Sequence, residues 1–301
     1  MDYRYNYYIK NWNIKKTTIL VDEKYKIFKQ NELFFYDGII NKKIENNIHG
    51  TNIYGFYWDQ GPDFSLDIPC LTISADGIES HGLPALVKVR YIDDAKGAIV
   101  CPLEYWRHFG ELKDLDSKDI QWNDKKSGFI WRGASTGISD YGGQPHEWKN
   151  LRMMFCYKYK DLYDVGISLN VFDHWPSSYI KPNVSIEELL KYKYQISIPG
   201  NDKDSGLNWK LASNSIVLMA KPKIESWLME GLLQPYIHYV PLKDDYSDLT
   251  HMIEWCKQND GKCQEIVKNA KLFMKQFEDF KVEKQLFNML KKFYKNKFDF
   301  V

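Results

Sequence analysis

The residues best suited to chemistry begin where Phe129, Ile130 and Trp131, an apolar and aromatic run, give way to Arg132, Gly133, Ala134, Ser135, Thr136 and Gly137. Arg152 follows on an expected helix. A buried strand that opens into a small-residue loop ahead of a helix leaves backbone N–H groups pointing outward. Such a turn accommodates an anion, and an arginine beside it can grip phosphate oxygens in a bidentate way. The competing reading is an ordinary β-turn with a surface arginine. Two later loops belong to the same problem. Residues 200–206 read Gly-Asn-Asp-Lys-Asp-Ser-Gly, and the stretch after Met219 carries Lys221, Lys223, Glu225, Trp227 and Glu230. Together the three loops offer cations for a diphosphate, a carboxylate for ribose hydroxyls and an aromatic ring. All three can equally be polar surface.

These loops need strands and helices to position them. Residues 25–28, 33–36, 68–73, 85–89 and 98–103 read as strands, with Asp37-Gly38 as a turn. Residues 110–128 are charged and read as a solvated connection between two halves. The second half alternates. A strand is expected at 129–131, a helix at 147–161, a strand ending in a breaker at 194–200, a helix over Leu207–Ala212 and a buried strand at 215–219. Ser185 with Glu188 three residues on forms a capping box. Ser247 is placed to cap a helix whose Leu249, Met252, Ile253 and Cys256 share one face. Ile266, Ala270 and Phe273, then Leu286, Met289, Leu290 and Phe293, mark two further helices. Strands separated by helices imply an α/β fold with a mostly parallel sheet, whose ligands bind at the carboxyl ends of its strands.

Composition excludes several classes. The chain has 301 residues, enough for one large or two medium domains. Its net charge of +1 gives no basic excess for tracking a nucleic-acid backbone. Five scattered cysteines without a C-x-x-C pair argue against a disulfide framework or a zinc site, and for a reducing compartment. No apolar run is long enough for a signal, an anchor or a membrane span, so a soluble cytoplasmic protein is expected. Aromatic residues make up 16% of the chain, which suits a cleft that stacks sugars and equally a large aromatic core. His238, in the run 236–240, reads as a core residue, and His81, His146 and His174 lack partners at metal spacing.

A set of segments in fixed order then resembles glycosyltransferase family 90. After Trp131-Arg132-Gly133 come residues 192–202, 214–219, 221–227, 234–242 and 245–249. This is the family of protein O-glucosyltransferases, capsule xylosyltransferases and lipopolysaccharide-core sugar transferases. The likeness spans roughly residues 84–275 and is densest with the lipopolysaccharide-core branch. It implies a GT-B fold, two Rossmann-like domains facing across a cleft. The expected division is an acceptor-binding domain at 1–120 and a nucleotide-sugar-binding domain at 121–275. A helix at 276–301 is expected to pack back on the first domain. The family inverts the anomeric centre without a metal or other cofactor. Accordingly, no Asp-x-Asp pair follows a clear apolar strand here, although Asp202 and Asp204 have that spacing inside the glycine loop.

The resemblance also distributes roles. Arg132, Gly133, Ser135 and Thr136 inherit the diphosphate contact of the W/F-R-G motif, and Arg152 resembles a second arginine, with an exposed helix residue as its alternative. An arginine that members of the protein O-glucosyltransferase branch carry shortly before the strand at 215–219 is absent, and Lys210 stands in as a point charge. Ser215 is expected at the nucleotide, and Glu225 or Glu230 at the ribose. The general base is expected to be Asp59, beside Tyr57 and Trp58, with Asp63 as the alternative and Asp67 a third nearby acid. Each of these acids can also be a solvated loop residue. The implied reaction moves xylose or glucose from a UDP-sugar to a hydroxyl of a glycan in surface polysaccharide or glycoprotein synthesis. A catalytically inactive carbohydrate-binding or scaffold protein, and a transferase using UDP-galactose, remain the alternatives. The Asn-, Lys- and Ile-rich composition fits a bacterial or viral gene.

Overall fold

The computed structural model describes residues 1–10, 12, 17–19, 28–30, 33–35, 56–57, 72–73, 85–93, 98–102, 109–137, 150–170 and 175–300. Asp59, Asp63 and Asp67, the turn at Asp37-Gly38 and most of the strands expected at 25–28 and 68–73 lie outside them. The chain divides into two compact units. One comprises Met1–Gly110, Pro222–Gly231 and Phe277–Val301, and the other Glu111–Lys221 and Leu232–Gln276. The short 222–231 segment, grouped from sequence with the nucleotide-binding half, therefore belongs to the first unit. Among the described residues no helix is long and apolar enough to cross a membrane.

The second unit contains the α/β sheet. Its strands are β1 (Ile130–Ala134), β2 (Asp164–Leu169), β3 (Tyr194–Ser197), β4 (Ile216–Ala220) and β5 (Val240–Leu242). All paired neighbours are parallel: β1 with β2, β3 with β4, and β4 with β5. The two ladders are joined ahead of β1 and β3 by a parallel bridge at Lys126 and Tyr192 and by Tyr194 N–H donating to the Gly128 carbonyl at 3.1 Å. The spatial order is thus β2-β1-β3-β4-β5. Every residue of β3 is buried, as an inner strand of a parallel sheet requires.

Local chemistry explains the helices. α1 (Leu151–Tyr159) starts at Asn150, whose Oδ1 accepts the Met153 N–H at 3.1 Å. This satisfies one of the orphan donors of the first turn. Ser185 likewise caps the one-turn helix Ile186–Leu189 by accepting the Glu188 N–H at 3.2 Å. α2 is Leu207–Ala212, and α3 (Leu249–Gln258) buries Leu249, Met252, Ile253 and Cys256 as the spacing requires. Its N-cap is Asp248, not Ser247, and the Asp248 carboxylate accepts the Lys243 N–H instead of capping. α4 follows at Asp260–Met274.

Two further expectations are corrected. The stretch 110–128 is not simply solvated. Trp122 is buried in the core of the second unit, and the buried Lys125 bonds to Asp119 and to the Leu190 carbonyl. His238 is not in the buried core. It sits half-buried in a turn, where Nδ1 accepts the Gln234 N–H at 2.9 Å.

The first unit is held by buried ions. The helix Asp2–Tyr8 presents Arg4 to Glu283 of the helix Phe280–Lys295, with Nη2 to Oε2 at 2.7 Å and Nη1 to the other oxygen. Arg4 also lies 4.5 Å from the Phe277 ring centroid. Arg90 donates through Nε to Glu225 at 2.9 Å and through its Nη atoms to the Tyr8 and Tyr7 carbonyls at 2.7 and 2.8 Å. The strands Val89–Tyr91 and Ile224–Ser226, which carry these residues, pair antiparallel. The strand expected through 85–89 breaks at Lys88, because Ala85–Val87 pairs instead with Ala98–Val100.

Removing one partner of a buried ion pair leaves the other charged and unsatisfied. Arg4→Ala should therefore lower unfolding free energy by about 3–5 kcal/mol. Replacing the pair together, as Arg4→Met with Glu283→Leu, should recover most of it. Urea unfolding measures both. A change under about 0.5 kcal/mol for Arg4→Ala, as at a surface site, would contradict the clamp.

Candidate functional site

In a doubly wound sheet of this order, the crevice forms outside the carboxyl ends of the strands where the winding reverses, here between β1 and β3. Beyond Gly128 no backbone ladder joins these strands among the described residues. Arg152, in the first turn of α1, spans the gap. Nη1 donates to the Ala134 carbonyl at 3.1 Å, Nη2 to the Ile198 carbonyl at 2.9 Å, and Nε to the Pro199 carbonyl at 3.2 Å. Nη1 also donates to Thr136 Oγ1 at 2.9 Å. Because that oxygen is already an acceptor, the Thr136 O–H is free to turn toward a ligand. Burial pulls the Arg152 pKa down, opposed by Asp204 and Asp202, and an arginine keeps its proton throughout.

The loops close tightly around this cation. Gly137, at φ 129°, donates its N–H to Asn201 Oδ1 at 2.7 Å, which ties the first loop to the second. A Cβ at Gly200 would lie 2.7 Å from Thr136 Oγ1 and 3.2 Å from the Arg152 guanidinium carbon, so a side chain there would have to displace Thr136 from its place beside the guanidinium. Ser135 is fully buried. Its N–H donates to the Leu169 carbonyl at 2.9 Å, and its own carbonyl accepts Asn150 Nδ2 at 3.1 Å. Tyr246, held at φ 57°, donates its hydroxyl to the Ser197 carbonyl at 2.7 Å.

Lys210 of α2 is buried and pinned. Nζ bonds to Asp204 and donates to the Ile196 carbonyl at 3.1 Å. Burial pushes the Asp204 carboxyl up, but Lys210, Arg152 and the hydrogen bonds from Lys210 and Ser197 hold it below the usual carboxylate range.

Other residues expected at the site have different surroundings. Arg132 lies mid-strand and reaches back toward the amino end of β2. It donates to Asp164 Oδ1 at 2.8 Å, to the Asp164 carbonyl at 3.0 Å and to the Pro182 carbonyl at 3.0 Å. Gly133 is a packing position, since a Cβ there would meet the Trp131 ring at 2.8 Å. Ser215 precedes β4 at the amino end of the sheet and donates to the Tyr192 carbonyl at 2.8 Å. Glu225 and Glu230 belong to the first unit. Glu225 serves Arg90 and Lys10, and Glu230 accepts from the Ser226 N–H at 2.6 Å and its hydroxyl at 2.9 Å. Among the described residues no three His, Cys, Asp or Glu side chains gather as a metal site. Sequence reasoning named Gly200 and Asn201 in the second loop without giving either a role, and it passed over Asn150, whose local signal is a capping residue ahead of a helical stretch.

Asp204 gives a pH prediction. Its folded pKa lies below the ordinary value of 3.8. The stability it contributes is therefore complete above that value and is lost as pH falls through the lower folded value. Asp204→Asn should be less stable at neutral pH and show a shallower loss of Tm below about pH 4 than the parent. Parallel acid limbs would contradict the Lys210–Asp204 coupling.

The chain is 34% identical over 199 residues to O-glucosyltransferase LpsA of Dichelobacter nodosus, covering 65% of this chain and 57% of that protein. It is 36% identical over 100 residues to protein O-glucosyltransferase 2 of Danio rerio, covering 32% of this chain and 19% of that protein. Uncharacterized protein 179R of Invertebrate iridescent virus 6 matches at 33% over 187 residues, covering 52% of this chain and 16% of that protein. The chain thus spans a little over half of LpsA and less than a fifth of the other two. The model of glycosyl transferase family 90 matches residues 101–298, well over half of the chain, and the protein belongs to that family.

Proposed function

We propose that this chain is an inverting, metal-independent glycosyltransferase of GT-B architecture. It transfers glucose or xylose from a UDP-sugar to a hydroxyl of a glycan acceptor. The observation that carries this reading is the Arg152 cluster at the reversal of the parallel sheet, where Thr136, Gly137, Gly200 and Asn201 converge. The second unit is then the nucleotide-sugar half. As the bond from the sugar to the diphosphate breaks, negative charge grows on the leaving UDP. A guanidinium already fixed by carbonyls, with a hydroxyl oriented by it, meets that charge without reorganising. Asp59, with Asp63 as the alternative, takes the proton from the acceptor hydroxyl as the anomeric carbon is attacked.

In this reading Arg132 supports the β1–β2 ladder through Asp164, and Arg152 takes the diphosphate role. One observation favours the second reading, an inactive carbohydrate-binding protein. Lys210, the stand-in for a family arginine, is spent on Asp204 and the Ile196 carbonyl. Slow hydrolysis of UDP-glucose, UDP-xylose and UDP-galactose by the purified protein separates these readings. Release of UDP from any of the three supports the transferase, and none from all three supports the inactive protein.

Thr136→Val should lower turnover by about 10²-fold, while Thr136→Ser, which keeps the hydroxyl, should lower it little. Equal activity of Thr136→Val and the parent would remove this residue from the donor site. Arg132→Ala should lose stability by about 1–3 kcal/mol through its orphaned acceptors while the folded protein still binds UDP. Lost UDP affinity with unchanged stability would return Arg132 to the diphosphate. Asp59→Asn should keep UDP affinity and reduce transfer by about 10²-fold or more. If Asp63→Asn has that effect instead, the base is Asp63.

A further inference from the structure

A groove of about 420 Å³ opens on the second unit between α4 and the segment preceding β4. It lies at the amino end of the sheet, since Asn214 on its wall directly precedes that strand. The Arg152 cluster sits at the opposite, carboxyl end. Lys268, Lys271 and Lys275 line the groove, and none of its lining residues is acidic. Lys271 is oriented by Asn214, with Nζ donating to Oδ1 at 2.7 Å, and stands 3.5 Å from the exposed Asp116. Lys268 and Lys275 make no ion pair with any described residue. Asp260, at the start of α4, is already satisfied. It pairs with Lys193 at 2.9 Å and accepts Trp122 Nε1 at 3.0 Å.

The rest of the wall mixes the apolar Trp122, Val267 and Leu272 with amide side chains. Gln121 and Asn269 carry amide groups that no described residue engages. These two amides offer donors and acceptors for sugar hydroxyls beside an apolar surface, and uncompensated ammonium groups favour an anionic substituent. We infer that this groove binds an anionic saccharide, a sugar bearing a phosphate, sulfate or carboxylate, at a site separate from the donor crevice. The inference does not depend on the transferase reading, because none of these residues takes part in it. The protein's net charge of +1 argues against a nucleic-acid strand as the occupant.

The test uses the full chain saturated with UDP, so that the donor crevice does not compete. Glucose 6-phosphate, inorganic phosphate and glucose are titrated while backbone amide shifts are followed by NMR. Glucose 6-phosphate should bind saturably, more tightly than phosphate, and glucose should not bind detectably. The shifts should map to Gln121 and the 268–275 face, and binding should weaken as salt is raised. Lys268→Glu with Lys275→Glu should weaken it at least about tenfold and leave UDP affinity unchanged. Both lysines are exposed, so the variant should fold. The inference is overturned if phosphate binds as tightly as glucose 6-phosphate, if the double variant binds like the parent, or if a single-stranded oligonucleotide displaces the sugar phosphate at lower concentration.

Discussion

The Arg152 guanidinium holds the carboxyl ends of β1 and β3 in register where no strand-to-strand hydrogen bond does so. A parallel sheet that reverses its winding leaves a crevice at that point, because successive crossovers depart to opposite sides. The crevice is useful only if its two rims stay at fixed separation. A planar cation with five N–H donors can satisfy carbonyls on both rims at once, which a lysine ammonium on a flexible stem does less well. The surrounding features follow from this. Gly200 has no side chain because one would collide with Thr136 and the guanidinium, and Asn201 reaches back to the Gly137 N–H. Asn150 both starts the helix that carries Arg152 and grips the loop through the Ser135 carbonyl.

Burying a cation carries a desolvation cost, and here it is met by neutral carbonyls rather than by a contacting carboxylate. Asp204, which exerts the larger long-range attraction, is bonded to Lys210 instead. Arg152 therefore has no carboxylate hydrogen-bonded to its guanidinium. Arg132 shows the contrary arrangement. Its guanidinium meets the Asp164 carboxylate directly, so its charge is compensated where it stands. Two arginines twenty residues apart thus divide the tasks of joining β1 to β2 and of supplying positive charge at the crevice.

Much of the second unit was legible in the sequence. The buried runs at 194–197 and 216–219 follow from short, mostly apolar stretches that end in breakers or polar residues, and the apolar stripe of α3 from its periodicity. The loops at 134–137 and 200–206 were marked by their small residues. What the sequence did not reveal was the direction of side chains. Arg132 is a strand residue whose long side chain can lean toward either end of the sheet, and its choice depends on Asp164, thirty-two residues away. Lys210 was recognised as a cation, but its partner lies in the loop before its own helix. The 222–231 segment was misplaced for a related reason. Glu225 looks like a polar loop residue until Arg90, 135 positions earlier, is seen to bury it. Such long-range pairs leave no periodic trace.

The proposed donor site is the crevice between β1 and β3. Hydrogen exchange of the backbone amides, with and without saturating UDP, tests whether UDP occupies it. New protection is expected, confined to residues 134–137 and 200–206 and to the first turn of α1. Protection at the Asp164 end of β1 and β2 instead, with none at Thr136, Gly137 or Gly200, would contradict it.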